Sequence, residues 1–299
     1  MKQLSFIFLL PCFLFFSTNE KNISPFKKTS EVNQPCKLKK IFYNDILTQE
    51  YHYNNKNKLI RIDQFLDGKV KWFFSLNYDE QDRIAFSDYG FYYYFSDEYV
   101  KESGVENPVV SQLTRYIYHY NDSKDLQFNT FKVYSGRGSQ TEPVEENLEY
   151  KDRFLCTYNS INQLVKIENI HKKRKEKKVK KKIWYELEYH NNNVTIIKSY
   201  MQKKGEDIVP YFIEQREYDS HSNLQFNSKD LMKYPGVISQ NNLKYLKRRF
   251  PLESPKIQEE YKKNHEYDEN GMLIKSSRNT IHPKNEFYDG TFTYEYTCE

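Results

Sequence analysis

A chain of 299 residues suits one large all-β domain or two ordinary ones, so length alone sets no boundary. Tyr and Phe, at 27 and 21 copies, stand against one alanine, Ala85, which excludes a mainly helical fold: aromatic side chains fit a pleated, half-buried surface, and alanine is the best helix former. A net charge of +5, from 46 basic and 41 acidic residues, is too near balance to point to nucleic acid.

The chain begins as an export signal does. Lys2 supplies a positive start, and Leu4 to Phe16 form an apolar run of 13 residues, too short to cross a bilayer. The reading is a signal peptide over 1–24, a linker over 25–35 and a single β domain over 36–299, in a periplasmic or extracellular protein with no membrane span once the signal is removed. Cys12 raises the alternative of a lipid anchor in the outer membrane, against which Pro11 and the continuing apolar run to Phe16 both count. Past the signal stand Cys36, Cys156 and Cys298 in a compartment that permits disulfides. A bridge from Cys36 to Cys298 would tie the first strand to the last; three buried thiols are the alternative.

From Cys36 onward a unit repeats: an alternating strand ending in Tyr, a polar turn, and a Leu or Ile six residues after that Tyr. The copies pair Tyr53 with Leu59, Tyr78 with Ile84, Tyr120 with Leu126, Tyr158 with Leu164, Tyr218 with Leu224 and Tyr267 with Leu273. Tyr189 heads an imperfect copy with Val194 five residues on, and a last half-unit ends at Tyr296. The Asn, Asp, Ser and Gly between Tyr and Leu suit hairpin turns because they tolerate left-handed backbone and bond locally. Alternation places Tyr51 and Tyr53, Phe154, Cys156 and Tyr158, and Tyr185, Leu187 and Tyr189 on an apolar face; Glu186 and Glu188, Gln215 and Glu217, and Asn264 and Glu266 lie on the other. So many charged alternate positions disfavour a lipid-facing barrel.

The unit Tyr267-Asp-Glu-Asn-Gly-Met-Leu273 resembles the YD repeat of Rhs-type surface proteins and toxins. The layout over residues 36–299 is similar to a class of exported proteins and lipoproteins of Bacteroidetes of unknown function with a porin-like fold, as is the segment Val237-Ile-Ser-Gln-Asn-Asn-Leu243. That resemblance implies a fold and a compartment, with cysteines often near both domain ends; it implies no activity. About 14–16 strands are too many for a flat open sheet. The expected architecture is all-β, an antiparallel hairpin meander forming a soluble barrel or strongly curved sheet, with a two-sheet sandwich as the alternative.

Several segments interrupt or decorate the repeat. The run Tyr89-Gly-Phe-Tyr-Tyr-Tyr-Phe95 puts Tyr89, Phe91, Tyr93 and Phe95 on one strand face and Tyr92 and Tyr94 on the other; these six residues are the candidate binding surface, able to stack on sugar rings. The alternative is a strand covered on both sides. The basic run 172–182 lies in a connection and reads as a solvated tip or an electrostatic attachment point. Residues 228–263, with Pro235, Pro251 and Pro255 and the helix-spaced Leu243, Leu246 and Phe250, read as a long irregular connection with room for one short helix.

Seven histidines sit mostly at repeat positions, with no zinc-type spacing among them or the cysteines. No nucleophile elbow, phosphate-binding loop or glycosidase carboxylate pair stands out. No cofactor, metal or catalytic residue is therefore expected. The preferred reading is a non-catalytic binding or surface-interaction protein for a polysaccharide or envelope component; a purely structural envelope component and a secreted carbohydrate-active enzyme are the alternatives.

Overall fold

The computed structural model describes residues 36–104, 108–121, 128–136, 149–161, 163–169, 181–203, 207–222, 239–250, 254–282 and 289–298. The signal segment 1–24 with Cys12, the linker 25–35, the basic residues 172–180 and the predicted opener positions Leu126 and Leu224 lie outside them.

The described strands are β1 (Lys37–Tyr43), β2 (Ile46–Tyr53), β3 (Leu59–Leu66), β4 (Lys69–Tyr78), β5 (Ile84–Tyr93), β6 (Val109–Tyr120), β7 (Phe128–Gly136) and β8 (Glu149–Tyr158). They continue through β9 (Leu164–Asn169), β10 (Lys181–His190), β11 (Asn193–Lys203), β12 (Val209–Ser222), β13 (Asn241–Phe250), β14 (Ser254–Tyr267), β15 (Leu273–His282) and β16 (Gly290–Thr297). Each pairs antiparallel with its neighbours in sequence, and β1 pairs with both β2 and β16, so the sheet returns on itself as a closed barrel. A single short helix, α1 (Asp97–Ser103), follows β5.

The residue after each repeat tyrosine builds the turn. The Oδ1 atoms of Asn54, Asp79, Asn159 and Asp268 each accept two backbone N–H bonds, from the residues two and four positions on. Three residues after that anchor the backbone turns left-handed, at Asn57 (φ 62), Asp82 (φ 61) and Gly271 (φ 76). Glycine adopts this region without cost and Asn or Asp at a modest one, so one copy carries glycine there and the other two carry Asn and Asp. The imperfect copy has a different solution: His190 pairs with Asn193, leaving Asn191 and Asn192 as a two-residue turn with both residues left-handed. One fewer turn position accounts for its shorter spacing.

The tyrosine itself closes the unit. Its hydroxyl crosses to the preceding unit and donates to the carbonyl of that unit's opener: Tyr53 to Leu38, Tyr78 to Leu59, Tyr120 to Ile84, Tyr218 to Val194 and Tyr296 to Leu273, at 2.7–3.0 Å. Register shifts beside Tyr53, Tyr78, Tyr120 and Tyr218 accompany these bonds. The phenol supplies a donor to a carbonyl at the point where the ladder shifts register. The openers Leu59, Ile84, Leu164 and Val194 are fully buried.

One apolar cluster joins Leu38, Tyr51, Ile62, Phe74, Tyr116, Phe154, Cys156, Ile167, Leu187, Ile197 and Phe212 with Phe250 and Tyr294, drawing on strands all around the barrel. A cluster of that span is the enclosed face. The apolar face expected from alternation is this one. The outer face of β3–β6 carries a smaller cluster of Phe73, Val110 and Leu113 beside Tyr92, and the buried Asp88–Arg115 pair bonds at 2.7 and 2.9 Å.

Two expectations are corrected. Residues 228–263 hold β13 and most of β14, because the prolines sit outside the alternating core of those strands: Pro251 falls between them and Pro255 at the start of β14. Leu243 and Leu246, read as helix-spaced, lie in β13. Tyr218 pairs with Leu243 of β13. Cys36 and Cys298 form a disulfide across 262 residues, beside the β1–β16 seam, and Cys156 is buried in the core outside any disulfide.

Candidate functional site

Two groups of side chains depart from hairpin scaffold. The first is the aromatic run. Tyr89 lies opposite Phe74 and packs on the core, and Phe91 lies opposite Trp72 with ring centroids 5.8 Å apart. On the outer face Tyr92 packs on Phe73 at 5.1 Å and accepts a bond from Arg61 Nη2 at 3.2 Å. Tyr94 donates to the Val70 carbonyl at 2.8 Å, with the ammonium groups of Lys69 and Lys71 each 5.1 Å from its ring centre. These four residues are held by packing.

Tyr93 and Phe95 reach an open ladder instead. Tyr93 is 50% exposed and meets Phe95 edge-on at 4.9 Å; Phe95 stacks on Tyr99 of α1 at 4.8 Å, and Tyr99 is 47% exposed. Helix α1 fixes Tyr99 in place: Ser96 caps its start by accepting from the Tyr99 N–H at 3.3 Å, and left-handed Gly104 ends it by donating to the Val100 carbonyl at 3.0 Å. Tyr99 was missed in sequence, although Ser96 before Asp97 and Glu98, with a glycine at 104, is a helix start-and-stop signal.

The second group lies inside the barrel. Glu214, opposite core residue Ile197, is 0% exposed, and it is ion-paired to Arg216 on its own strand and to Arg248 Nε across β13 at 2.6 Å. Arg248 Nη1 bonds Glu259 of β14 at 2.9 Å, and Arg278 of β15 approaches the same carboxylate at 3.7 Å. Arg278 also stacks over the Tyr261 ring at 4.0 Å, and Arg248 faces the Phe212 ring at 5.2 Å. Burial, with Glu214 nearby, pushes the Tyr261 hydroxyl up to about 12. Lys263 lies directly across from Arg278, and burial, then the Arg278 charge, lowers its amine to about 8.

Nothing in the charges of these residues announces the cluster. The usable signal is phase: Phe212, Glu214, Arg216 and Tyr218 alternate together, as do Tyr261, Lys263, His265 and Tyr267, so both aromatic sets carry their charged members inward. His265 also changes the repeat bond. Its Nε2–H donates to the Leu243 carbonyl at 2.9 Å, and Tyr267 turns to Asp219 and to Asn242.

On the outer surface, Asp79, Arg83, Phe86, His119 and Tyr120 line a cavity of about 390 Å³. Arg83 there bonds Asp79 at 2.8 Å and covers the Tyr120 ring at 4.2 Å, so its charge is already engaged.

The chain is similar in layout to porin-like proteins of Bacteroides. The structure from Bacteroides uniformis is 12% identical, with a TM-score of 0.44 over 83% of this chain and 90% of that one. The one from Bacteroides vulgatus is 9% identical, with a TM-score of 0.38 over 87% and 98%. The Photorhabdus luminescens Tc holotoxin pore is 11% identical, with a TM-score of 0.22 over 80% of this chain and 14% of that one. No family model matches the chain, and no curated protein matches it by sequence.

Chemically, the ladder offers exposed ring faces, which suit the flat apolar side of a sugar, and the ammonium groups of Lys69 and Lys71 lie over the ring of Tyr94. The inner cluster offers guanidiniums and an amine, with both carboxylates already held by arginines, which is poor equipment for general acid–base work. Among the described residues no group of three His, Cys, Asp or Glu is placed to hold a metal ion, and no helix is long and apolar enough to cross a membrane.

Proposed function

We propose that this is an exported, non-catalytic binding protein of the cell envelope, and that it holds a polysaccharide on the Tyr93–Phe95–Tyr99 ladder. The observation that carries the reading is the ladder's exposure: among the described residues, Tyr93 and Tyr99 are the tyrosines that present about half their surface to solvent, and Phe95 joins them. Lys69 and Lys71, beside the neighbouring ring of Tyr94, favour a glycan that carries carboxylate or other anionic groups. The disulfide is compatible with an oxidising compartment. Outward charged pairs such as Glu188 with Lys198 and Glu266 with Lys275 favour a barrel surrounded by water.

A glycan array followed by calorimetry against acidic and neutral polysaccharides tests this. The wild-type protein binds one glycan class, and the double variant Tyr93→Ala, Tyr99→Ala loses about tenfold or more in affinity, as truncated stacking residues do. Silence across the array, or equal binding by the double variant, would remove the ladder from the function and return the protein to a structural role.

A further inference from the structure

We infer that the outer wall of β5–β8 carries a binding site for a small amphiphilic anion, a flat apolar body bearing one carboxylate. The body lies in the cavity beside Phe86, Ile117 and His119, and the carboxylate rests on Lys132. The register lays these parts out in one row. Phe86 lies opposite Ile117, Ile117 opposite Lys132, and Lys132 opposite Arg153, on consecutive strands. The row faces outward because its members alternate with core residues. Ser87, after Phe86, bonds the core residue Tyr118; Ile117 stands between buried Tyr116 and Tyr118, and Arg153 precedes core Phe154.

The apolar half of the row is open. Phe86 and Ile117 line the cavity of about 390 Å³ together with Ala85, His119 and Tyr120, which leaves room for one ring and a short chain. Arg115 lies over the Phe86 ring at 4.2 Å, and its bond to buried Asp88 at 2.7 Å fixes it there. Asp79, the carboxylate among the lining residues, is held by Arg83 at 2.8 Å, so its charge is answered within the wall.

The cationic half has no such answer. Lys132 and Arg153 stand directly opposite each other, and a like-charged cross-strand pair is unfavourable. Among the described residues neither side chain is ion-paired. Their field reaches the cavity: burial first, and then the charges of Lys132 and Arg153, hold the His119 imidazole below its ordinary value, so it is neutral at pH 7. The buried Nε2 of His119 has no hydrogen-bond partner, and in the tautomer that carries hydrogen there it has a bond to donate. Neighbouring strands are about 4.8 Å apart, so Lys132 is within reach of a short chain leading from a ring beside Ile117. An apolar slot ending at two unanswered cations selects a molecule with its parts in the same order. The site lies about 20 Å along β5 from Tyr93 and is separate from the ladder.

Calorimetry and ligand-detected NMR of the mature protein with phenylpropionate, against its neutral counterpart phenylpropanol, test this. The wild type binds phenylpropionate saturably and phenylpropanol about tenfold more weakly, the loss of one charge-assisted contact. Lys132→Gln, an outward change that spares the core, weakens phenylpropionate by about tenfold and leaves phenylpropanol unaffected. Phe86→Ala weakens both. The control Lys244→Gln, at an exposed position of β13, leaves both as in the wild type. No binding of phenylpropionate by the wild type, equal affinity for the two compounds, wild-type affinity in Lys132→Gln or Phe86→Ala, or an equal loss in Lys244→Gln would overturn the inference.

Discussion

At the scale of single residues, Lys263 carries a desolvation cost in the barrel wall. Its folded-state amine titrates near 8, against 10.5 ordinarily, so between those values the unfolded chain binds more protons than the folded one. The penalty is therefore complete below about pH 8 and fades as pH rises toward the ordinary value. Lys263→Met removes it. The variant should be more stable than the wild type by ~2 kcal/mol at pH 7, and the gap should narrow steadily between pH 8 and 10.5, measured by urea unfolding across that range. The difference between the two proteins cancels the tyrosines, whose raised values affect both alike. A constant gap over that range would mean that Lys263 is not charged and buried together.

At the scale of elements, the hairpin unit is a self-consistent device: an Asx side chain folds the turn, a left-handed residue completes it, and a tyrosine staples the result to the preceding unit. Tyr78→Phe keeps the ring against the core but strands the Leu59 carbonyl that the hydroxyl satisfies at 2.8 Å. The expected loss is ~1–2 kcal/mol in denaturant unfolding, with the spectroscopic signature of the fold unchanged. A loss near zero would show that water reaches that carbonyl. Tyr189 provides an internal comparison: in the unit with the shortened turn its buried hydroxyl has no partner, so Tyr189→Phe should cost far less than Tyr78→Phe. The unit was legible in sequence because turn chemistry and strand alternation are local. The 228–263 segment was misread for the same reason: Leu243, which pairs with Tyr218, lies well outside the local repeat spacing, and helix-like spacing of three apolar residues outweighed the alternation of β13.

At the scale of the molecule, closure joins the two ends of the domain. The β1–β16 ladder aligns Lys37 with Thr297 through to Tyr43 with Phe292, and the Cys36–Cys298 disulfide sits at its edge. Cys36→Ser with Cys298→Ser should lower stability by as much as ~5 kcal/mol in the chain-entropy picture of so long a loop, read as a fall in the denaturant midpoint that reductant reproduces in the wild type. An unchanged midpoint would mean that strand pairing alone holds the seam. The sequence by itself determined the all-β class, the hairpin unit and the phase of its apolar face, because each follows from contacts within a few residues. Only the tertiary structure decided that β1 meets β16, that Tyr99 completes the ladder begun by Tyr93 and Phe95, and that Glu214, Arg248, Glu259 and Arg278 share one neighbourhood inside the barrel. Those pairings join residues far apart in sequence, and no local rule fixes which inward positions on distant strands will face one another once the sheet has closed.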